Sequence, residues 1–267
     1  MLYFLLFLMG LAGGFLAGLI GIGGGIMYIF ILPYLLNHLG FPQEEIVQLT
    51  IANSIFGTMF AALSGNLALL KKGEVYWKQV IPIAISGSIV SLLLLQFYVN
   101  TPYYKEIEFN VVVIFLMLFI VWRTLSQVKI TRKMNDEKKS TFWSNMLVGS
   151  GSGAVAALSG LGGGTVIIPI LNTGLHMTMQ KAKSISLGVI LITSAVLTVM
   201  NLFADRNFGE QTTGYIVWPL ALTLSLGVVL ASPLGVIVAR KMSGKTISYI
   251  FVVFVLIVII DKLIQLF

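Results

Sequence analysis

Residues 13–25 read GGFLAGLIGIGGG, and residues 152–164 read SGAVAALSGLGGG. Seven of the thirteen positions are identical at an offset of 139: Gly14, Ala17, Leu19, Gly21, Gly23, Gly24 and Gly25 match Gly153, Ala156, Leu158, Gly160, Gly162, Gly163 and Gly164. Further matches follow in the same order. Gln48, Ala52 and Ser54 fall opposite Gln180, Ser184 and Ser186 at an offset of 132, and Pro82 falls opposite Pro219 at 137. The chain therefore reads as two related halves, 1–125 and 142–267, joined by a basic linker at 126–141.

The residues around these runs set the class. The chain has 267 residues, 57% apolar and 10% charged, with a mean hydropathy of +0.97. A soluble domain carries about 25% charged residues. A membrane helix needs roughly 20 apolar residues. Six stretches meet that length, at about 46–70, 79–99, 107–124, 184–204, 215–239 and 246–266. Two more apolar regions, 2–37 and 143–176, are interrupted by the glycine runs. Each is too long for one straight span and too short for two comfortable ones, so each predicts a broken helix or a helical hairpin. The first twenty residues lack a basic leader and a small-residue cleavage site, so they read as a membrane helix and not as a removable signal.

The net charge of +7 would suggest nucleic acid in a soluble protein. Here the basic residues sit in short loops and mark the cytoplasmic side instead. Segment 123–139 holds Arg123, Lys129, Arg132, Lys133, Lys138 and Lys139 against Asp136 and Glu137. Counting spans from there puts Lys71, Lys72 and Lys78 inside, with Lys181, Lys183, Arg240, Lys241 and Lys245. Glu44, Glu45, Lys105, Glu106, Glu108, Asp205, Arg206 and Glu210 fall outside. On this count the two halves have opposite orientations and the N-terminus is outside.

The expected fold is an all-α polytopic membrane protein of about 8–10 helices. It has two inverted-topology repeats, each a glycine-broken segment plus three transmembrane helices. Such a repeat is the sequence mark of a secondary transporter, because two copies in opposite orientation can exchange conformations. Non-helical backbone at membrane depth survives only where it lines a cavity or is buried in protein.

Glycine permits positive φ and close chain approach. If helices restart after each run, their first N–H groups are unpaired and favour anions. No Lys or Arg falls clearly in the centre of a span, and Asp261 and Lys262 lie toward the end of the last one. The candidate substrate site is therefore built from backbone donors, hydroxyls and amides: Gly23, Gly24, Gly25, Ile26, Asn53, Ser54, Gly162, Gly163, Gly164, Thr165, Ser184 and Ser186, with Asn172 a weaker candidate. A packing role competes with this reading. Gly14-x3-Gly18, Gly21-x3-Gly25, Gly149-x3-Gly153 and Gly160-x3-Gly164 are also helix-packing motifs. Three consecutive glycines in both halves fit packing less well. Trp77, Trp122, Trp143 and Trp218 fall at span ends, as an interfacial belt requires.

Cysteine is absent, which excludes disulfides, thiol chemistry and cysteine-ligated metals. The zinc-protease, phosphate-loop and nucleophile-elbow patterns are absent too. The sequence points to no enzyme, no cofactor and no metal.

The pattern GLIGIGGG at 18–25, repeated as ALSGLGGG-x4-P at 157–169, resembles the TauE/SafE family of sulfite and organosulfur anion exporters. Ala52-Asn53-Ser54 and Ser184-Ile185-Ser186-Leu187 are similar to its second signature, Ala-Thr-Ser-Leu, though degenerate. The family proline after the first run is expected near Phe30 and stands here at Pro33. The resemblance covers essentially the whole chain. It implies a multi-pass protein of a cell membrane, of the prokaryotic inner-membrane type. It would export sulfite or an organosulfonate such as sulfoacetate by alternating access. The partners it implies are a small inorganic or organosulfur anion and the lipid bilayer, with self-association open. An uptake carrier or a channel for another small anion or metabolite is the alternative.

Overall fold

A computed structural model describes residues 2–20, 24–70, 76–129 and 141–266. The described residues form ten α-helices: α1 (Leu2–Ile20), α2 (Gly25–His38), α3 (Ile46–Leu70), α4 (Trp77–Leu94), α5 (Glu106–Lys129), α6 (Phe142–Ser159), α7 (Gly164–Pro169), α8 (Met179–Leu202), α9 (Trp218–Lys241) and α10 (Gly244–Ile264). Among the described residues, five helices are long and apolar enough to cross a membrane: those centred on α3, α4, α5, α8 and α9. The 21-residue α10 matches the sixth expected span. Both glycine-interrupted regions are broken where expected, giving the pairs α1–α2 and α6–α7.

Two span starts differ from the sequence reading. Helix α8 begins at Met179, ahead of the expected 184, because the Thr178 hydroxyl accepts the Lys181 N–H and caps it there. Residues 215–217 are not helical. Ile216–Val217 form strand β2, paired antiparallel with β1 (Thr212–Thr213), and Pro219 then opens α9 in its first turn. Their apolar side chains are buried in a hairpin, a state that an apolar run by itself does not distinguish from a helix.

The polarity of the bundle is inside out. Large apolar side chains such as Phe115, Leu147 and Phe203 are exposed where lipid surrounds a membrane protein. The interior carries buried hydroxyls and amides, concentrated on α3 and α8. In the membrane-crossing part of α3, 83% of residues are buried, against 28% for α5. Helix α3 is therefore central and α5 peripheral.

Glycines set the closest helix pairs. Gly10, Gly14 and Gly18 of α1 lie against Leu224, Val228 and Ser232 of α9, so these helices run parallel. A β-carbon on Gly14 would sit 2.6 Å from Val228 Cα. Gly149 and Gly153 of α6 lie against Ile83 and Gly87 of α4 in the same way, and a β-carbon on Gly153 would sit 2.1 Å from the Gly87 carbonyl oxygen. So α1 packs on α9 and α6 on α4, each across the two halves of the chain. For Gly14, Gly18, Gly149 and Gly153 the packing role is the observed one.

Helices α3 and α8 cross antiparallel, with Gly65 against Leu187 and with Thr58 and Ile190 both against Gly162. It follows that α4 and α9 start at opposite ends of the bundle. Each broken pair is then a hairpin. The pair α1–α2 returns to the end where α10 finishes, and Tyr34 of α2 hydrogen-bonds Asp261 there. The pair α6–α7 returns to the opposite end, where Arg123 near the close of α5 donates to the Pro169 carbonyl at 2.8 Å. Helix α5 runs on to Lys129, and residues 130–140 of the basic linker lie outside the described residues.

Candidate functional site: two glycine breaks in contact

The second break spans residues 160–163. Gly160, Gly162 and Gly163 take φ of 72°, 78° and 72°, a left-handed conformation that strains any residue with a β-carbon. Gly160 ends α6, its N–H bonding Ala156 O in an αL cap. Gly163 precedes α7, and a β-carbon on it would meet the Ser152 hydroxyl at 2.3 Å. The first break differs locally. Gly24 has φ −74° and caps α2 without a left-handed turn. Gly21 and the candidate Gly23 lie outside the described residues.

The two breaks touch. A β-carbon on Gly25 would lie 2.8 Å from the Gly160 carbonyl oxygen and 2.9 Å from Leu161 Cα. Ser54 of α3 joins them. Its hydroxyl lies 2.9 Å from Gly160 O and 3.4 Å from Gly25 O, with the side chain fully buried. Ser54 thus satisfies a carbonyl that the end of α6 leaves outside the helix ladder. The Met27 N–H closes onto Gly24 O at 3.1 Å, and the Val166 N–H onto Gly163 O at 3.1 Å. The amides of Gly25 and Ile26, and of Gly164 and Thr165, precede those closures and stand outside the intrahelical ladder.

Three buried hydroxyls around the breaks, Thr165 Oγ1, Ser186 Oγ and Thr58 Oγ1, have no hydrogen-bond partner among the described residues. Thr165 opens α7 directly after the glycines. Thr58 presses its methyl on Gly162, where a β-carbon would meet it at 2.5 Å. Ser186 stands one turn before Ile190, which also lines Gly162, so both occupy one face of α8. A buried hydroxyl without a partner costs about 1–3 kcal/mol unless something else bonds it.

The remaining candidates separate. Ser184 is buried on the same helix. Ile26 is buried in the apolar core beside the first break. Asn53 turns away from the breaks. Its amide donates to Leu49 O at 2.7 Å and Tyr215 O at 3.0 Å, and its carbonyl oxygen accepts the Val217 N–H at 3.0 Å. It therefore clamps β2 to α3. Asn172 donates to Met177 O at 2.8 Å and closes the turn after α7.

Four residues at the breaks escaped the sequence reading. Tyr28 is 1% exposed, its hydroxyl unpartnered among the described residues, and the ring packs on Gly57 beside Gly24. Thr58 carried a usable signal, since Ser54-x3-Thr58 puts two hydroxyls on one helical face. Tyr104 donates its phenol to Leu158 O at 2.6 Å. Burial holds that phenol above its ordinary pKa, so it stays a donor. Lys183 donates to Leu19 O at 3.3 Å, at the end of α1. Nothing in a linear pattern announces the last two contacts.

The family model described as sulfite exporter TauE/SafE matches residues 6–261. A protein of Methanocaldococcus jannaschii named as a probable membrane transporter is 28% identical over 244 residues, covering 90% of this chain and 88% of its own. A Haemophilus influenzae protein of the same designation is 25% identical, covering 97% of each. The Bacillus subtilis protein YunE, again a probable membrane transporter, is 24% identical, covering 94% of this chain and 93% of its own. No solved structure matches the chain significantly.

Proposed function

The chain belongs to the sulfite exporter TauE/SafE family, and from that membership and the contact between its glycine breaks we propose that it exports a small sulfur oxyanion, sulfite or an organosulfonate, by alternating access. Membership makes the chain a multi-pass membrane transporter and not an enzyme.

The observation that carries the proposal is the group of buried hydroxyls, Thr165, Ser186 and Thr58, that have no partner among the described residues and stand beside two breaks bridged by Ser54. An oxyanion needs several donors and little positive charge if it is to be released again. Those hydroxyls, with the amides that open the 14-residue α2 and lie outside its intrahelical ladder, supply such donors. The ligand site we assign comprises Gly24, Gly25, Ile26, Ser54, Gly162, Gly163, Gly164, Thr165, Ser184 and Ser186. The cycle rests on reading 1–125 and 142–267 as inverted repeats with 126–141 as their linker. The exchanged pairing, α1 on α9 and α6 on α4, supports it, since a two-fold operation turns one pair into the other. Moving one negative charge outward across an inside-negative membrane gains about 2.3 kcal/mol per 100 mV. Efflux then needs no coupled ion.

The test is flux of sulfite into liposomes holding the purified protein under an imposed potential, with thiosulfate and sulfoacetate as competitors. Saturable flux that follows the potential and disappears in Gly163→Trp supports the reading. Absence of flux for every sulfur oxyanion removes the substrate class.

A further inference from the structure

The two halves cap the same carbonyl with different chemistry. Leu19 and Leu158 occupy matching positions in the glycine repeat, each just before a break. The Leu158 carbonyl accepts from the Tyr104 phenol at 2.6 Å, a neutral donor. The Leu19 carbonyl accepts from the Lys183 ammonium at 3.3 Å, a cation. A neutral hydroxyl therefore suffices to satisfy this carbonyl. The charge on Lys183 exceeds what capping needs.

The position of the charge is specific. Lys183 lies five residues after the Thr178 cap, within the second turn of α8 and one turn ahead of Ser186 and Leu187. Its side chain is half-buried and reaches the end of α1 at the first glycine break. Among the described residues no carboxylate forms an ion pair with it. The neighbouring Lys181 lies over the Tyr76 ring, 5.2 Å from its centroid. Leu187 packs on Gly65 near the close of α3, the end where α4 and α6 begin. So the end of the bundle where α8 begins carries, at Lys183, a cation that no described carboxylate pairs. In a cleft with low-dielectric walls, such a charge concentrates anions.

We propose that Lys183 is the charge-recognition residue of this transporter: it draws anions to the first glycine break and sets a preference for dianions over monoanions. The proposal rests on the anion-transport reading above. Because the ammonium is held by a carbonyl and not a carboxylate, its field stays available to the substrate. Because the matching donor in the other half is neutral, the field is one-sided. The two faces of the cycle then differ in affinity although the scaffold is repeated.

The test compares wild type, Lys183→Gln, Lys183→Arg and Tyr104→Phe in liposomes, with thiosulfate as dianion and sulfoacetate esterified at its carboxylate as monoanion. Glutamine keeps a neutral amide donor, on a side chain one bond shorter, and loses the charge. We expect Lys183→Gln to raise KM for thiosulfate at least about tenfold and for the monoanion far less, with kcat and melting temperature near wild type. The thiosulfate effect shrinks at high ionic strength. Lys183→Arg restores the dianion preference. Tyr104→Phe lowers the melting temperature without changing the ratio of the two KM values. An unchanged KM ratio in Lys183→Gln, with wild-type flux intact, overturns the role of Lys183 alone. Equal loss of flux and of melting temperature in both Lys183 variants reduces it to a structural cap. Wild-type protein that moves neither anion overturns the sulfur-oxyanion reading on which the role of Lys183 rests, and leaves membership of the transporter family standing.

Discussion

Ser54 on α3 donates a hydrogen bond of 2.9 Å to the carbonyl of Gly160, which closes α6 in the other half of the chain. The same hydroxyl stands 3.4 Å from the Gly25 carbonyl at the start of α2. One buried side chain therefore holds both glycine breaks in register. Loss of that bond leaves a buried carbonyl unsatisfied, which costs about 1–3 kcal/mol. Ser54→Ala should lower the melting temperature in detergent and reduce flux together. Ser54→Thr keeps the hydroxyl and should recover most of both. A Ser54→Ala protein with wild-type melting and flux would show that the breaks need no such link.

Gly163 and Gly151 offer a matched pair. Gly163 has φ 72° and a β-carbon there collides with Ser152, whereas a β-carbon on Gly151 meets only Val166 Cγ1 at 3.7 Å. Alanine in the left-handed region costs roughly 1–2 kcal/mol before any overlap is counted. Gly163→Ala should therefore be clearly destabilised. Gly151→Ala should be neutral or slightly stabilised, because alanine is the better helix former. Melting curves of the two variants side by side provide the check; equal curves would refute the geometry assigned to Gly163.

Thr165 separates binding from folding. Its hydroxyl is buried and bonds nothing among the described residues, so Thr165→Val removes no protein contact and keeps the shape. We expect melting within a degree or two of wild type. A lost hydrogen bond to a charged ligand is worth about 1.5–3 kcal/mol, or tenfold and more in KM. Concentration-dependent flux measures this. A wild-type KM would place the hydroxyl outside the ligand site.

Asn53→Leu should act at a distance from the breaks. Asn53 fastens the backbone of Tyr215 and Val217 to α3 through two hydrogen bonds, and a third to Leu49 O within α3 orients its side chain. Its removal should raise amide hydrogen exchange across residues 211–217 well before it alters exchange in α6. Uniform change, or none, would contradict a local clamp.

These residues show which parts of the structure a linear reading reaches. The start of α3 at Ile46 and both glycine breaks were legible, because apolar length and glycine clustering are local signals. The hairpin at Tyr215–Val217 was not, since three buried apolar residues look alike in a strand and a helix. Ser54 and Thr165, both candidates on residue type and position, lie beside the breaks. Asn53 was adjacent in sequence but faces another way, because successive helix positions diverge by about 100°. Tyr104 and Lys183 reach the breaks from residues 54 and 164 positions distant. Only the tertiary fold brings them there.

The exchanged pairing of α1 with α9 also constrains how the chain is made. The glycine face of α1 is synthesised long before the helix it packs on. Its partner surface around Leu224 and Val228 emerges roughly two hundred residues later. At about 5–20 residues per second, that interval lasts on the order of ten to forty seconds. Throughout it the glycine face of α1 lacks the helix it fits. Translation pauses and the supply of membrane chaperones during that window should then govern the yield of assembled protein more strongly than the final stability of the bundle does.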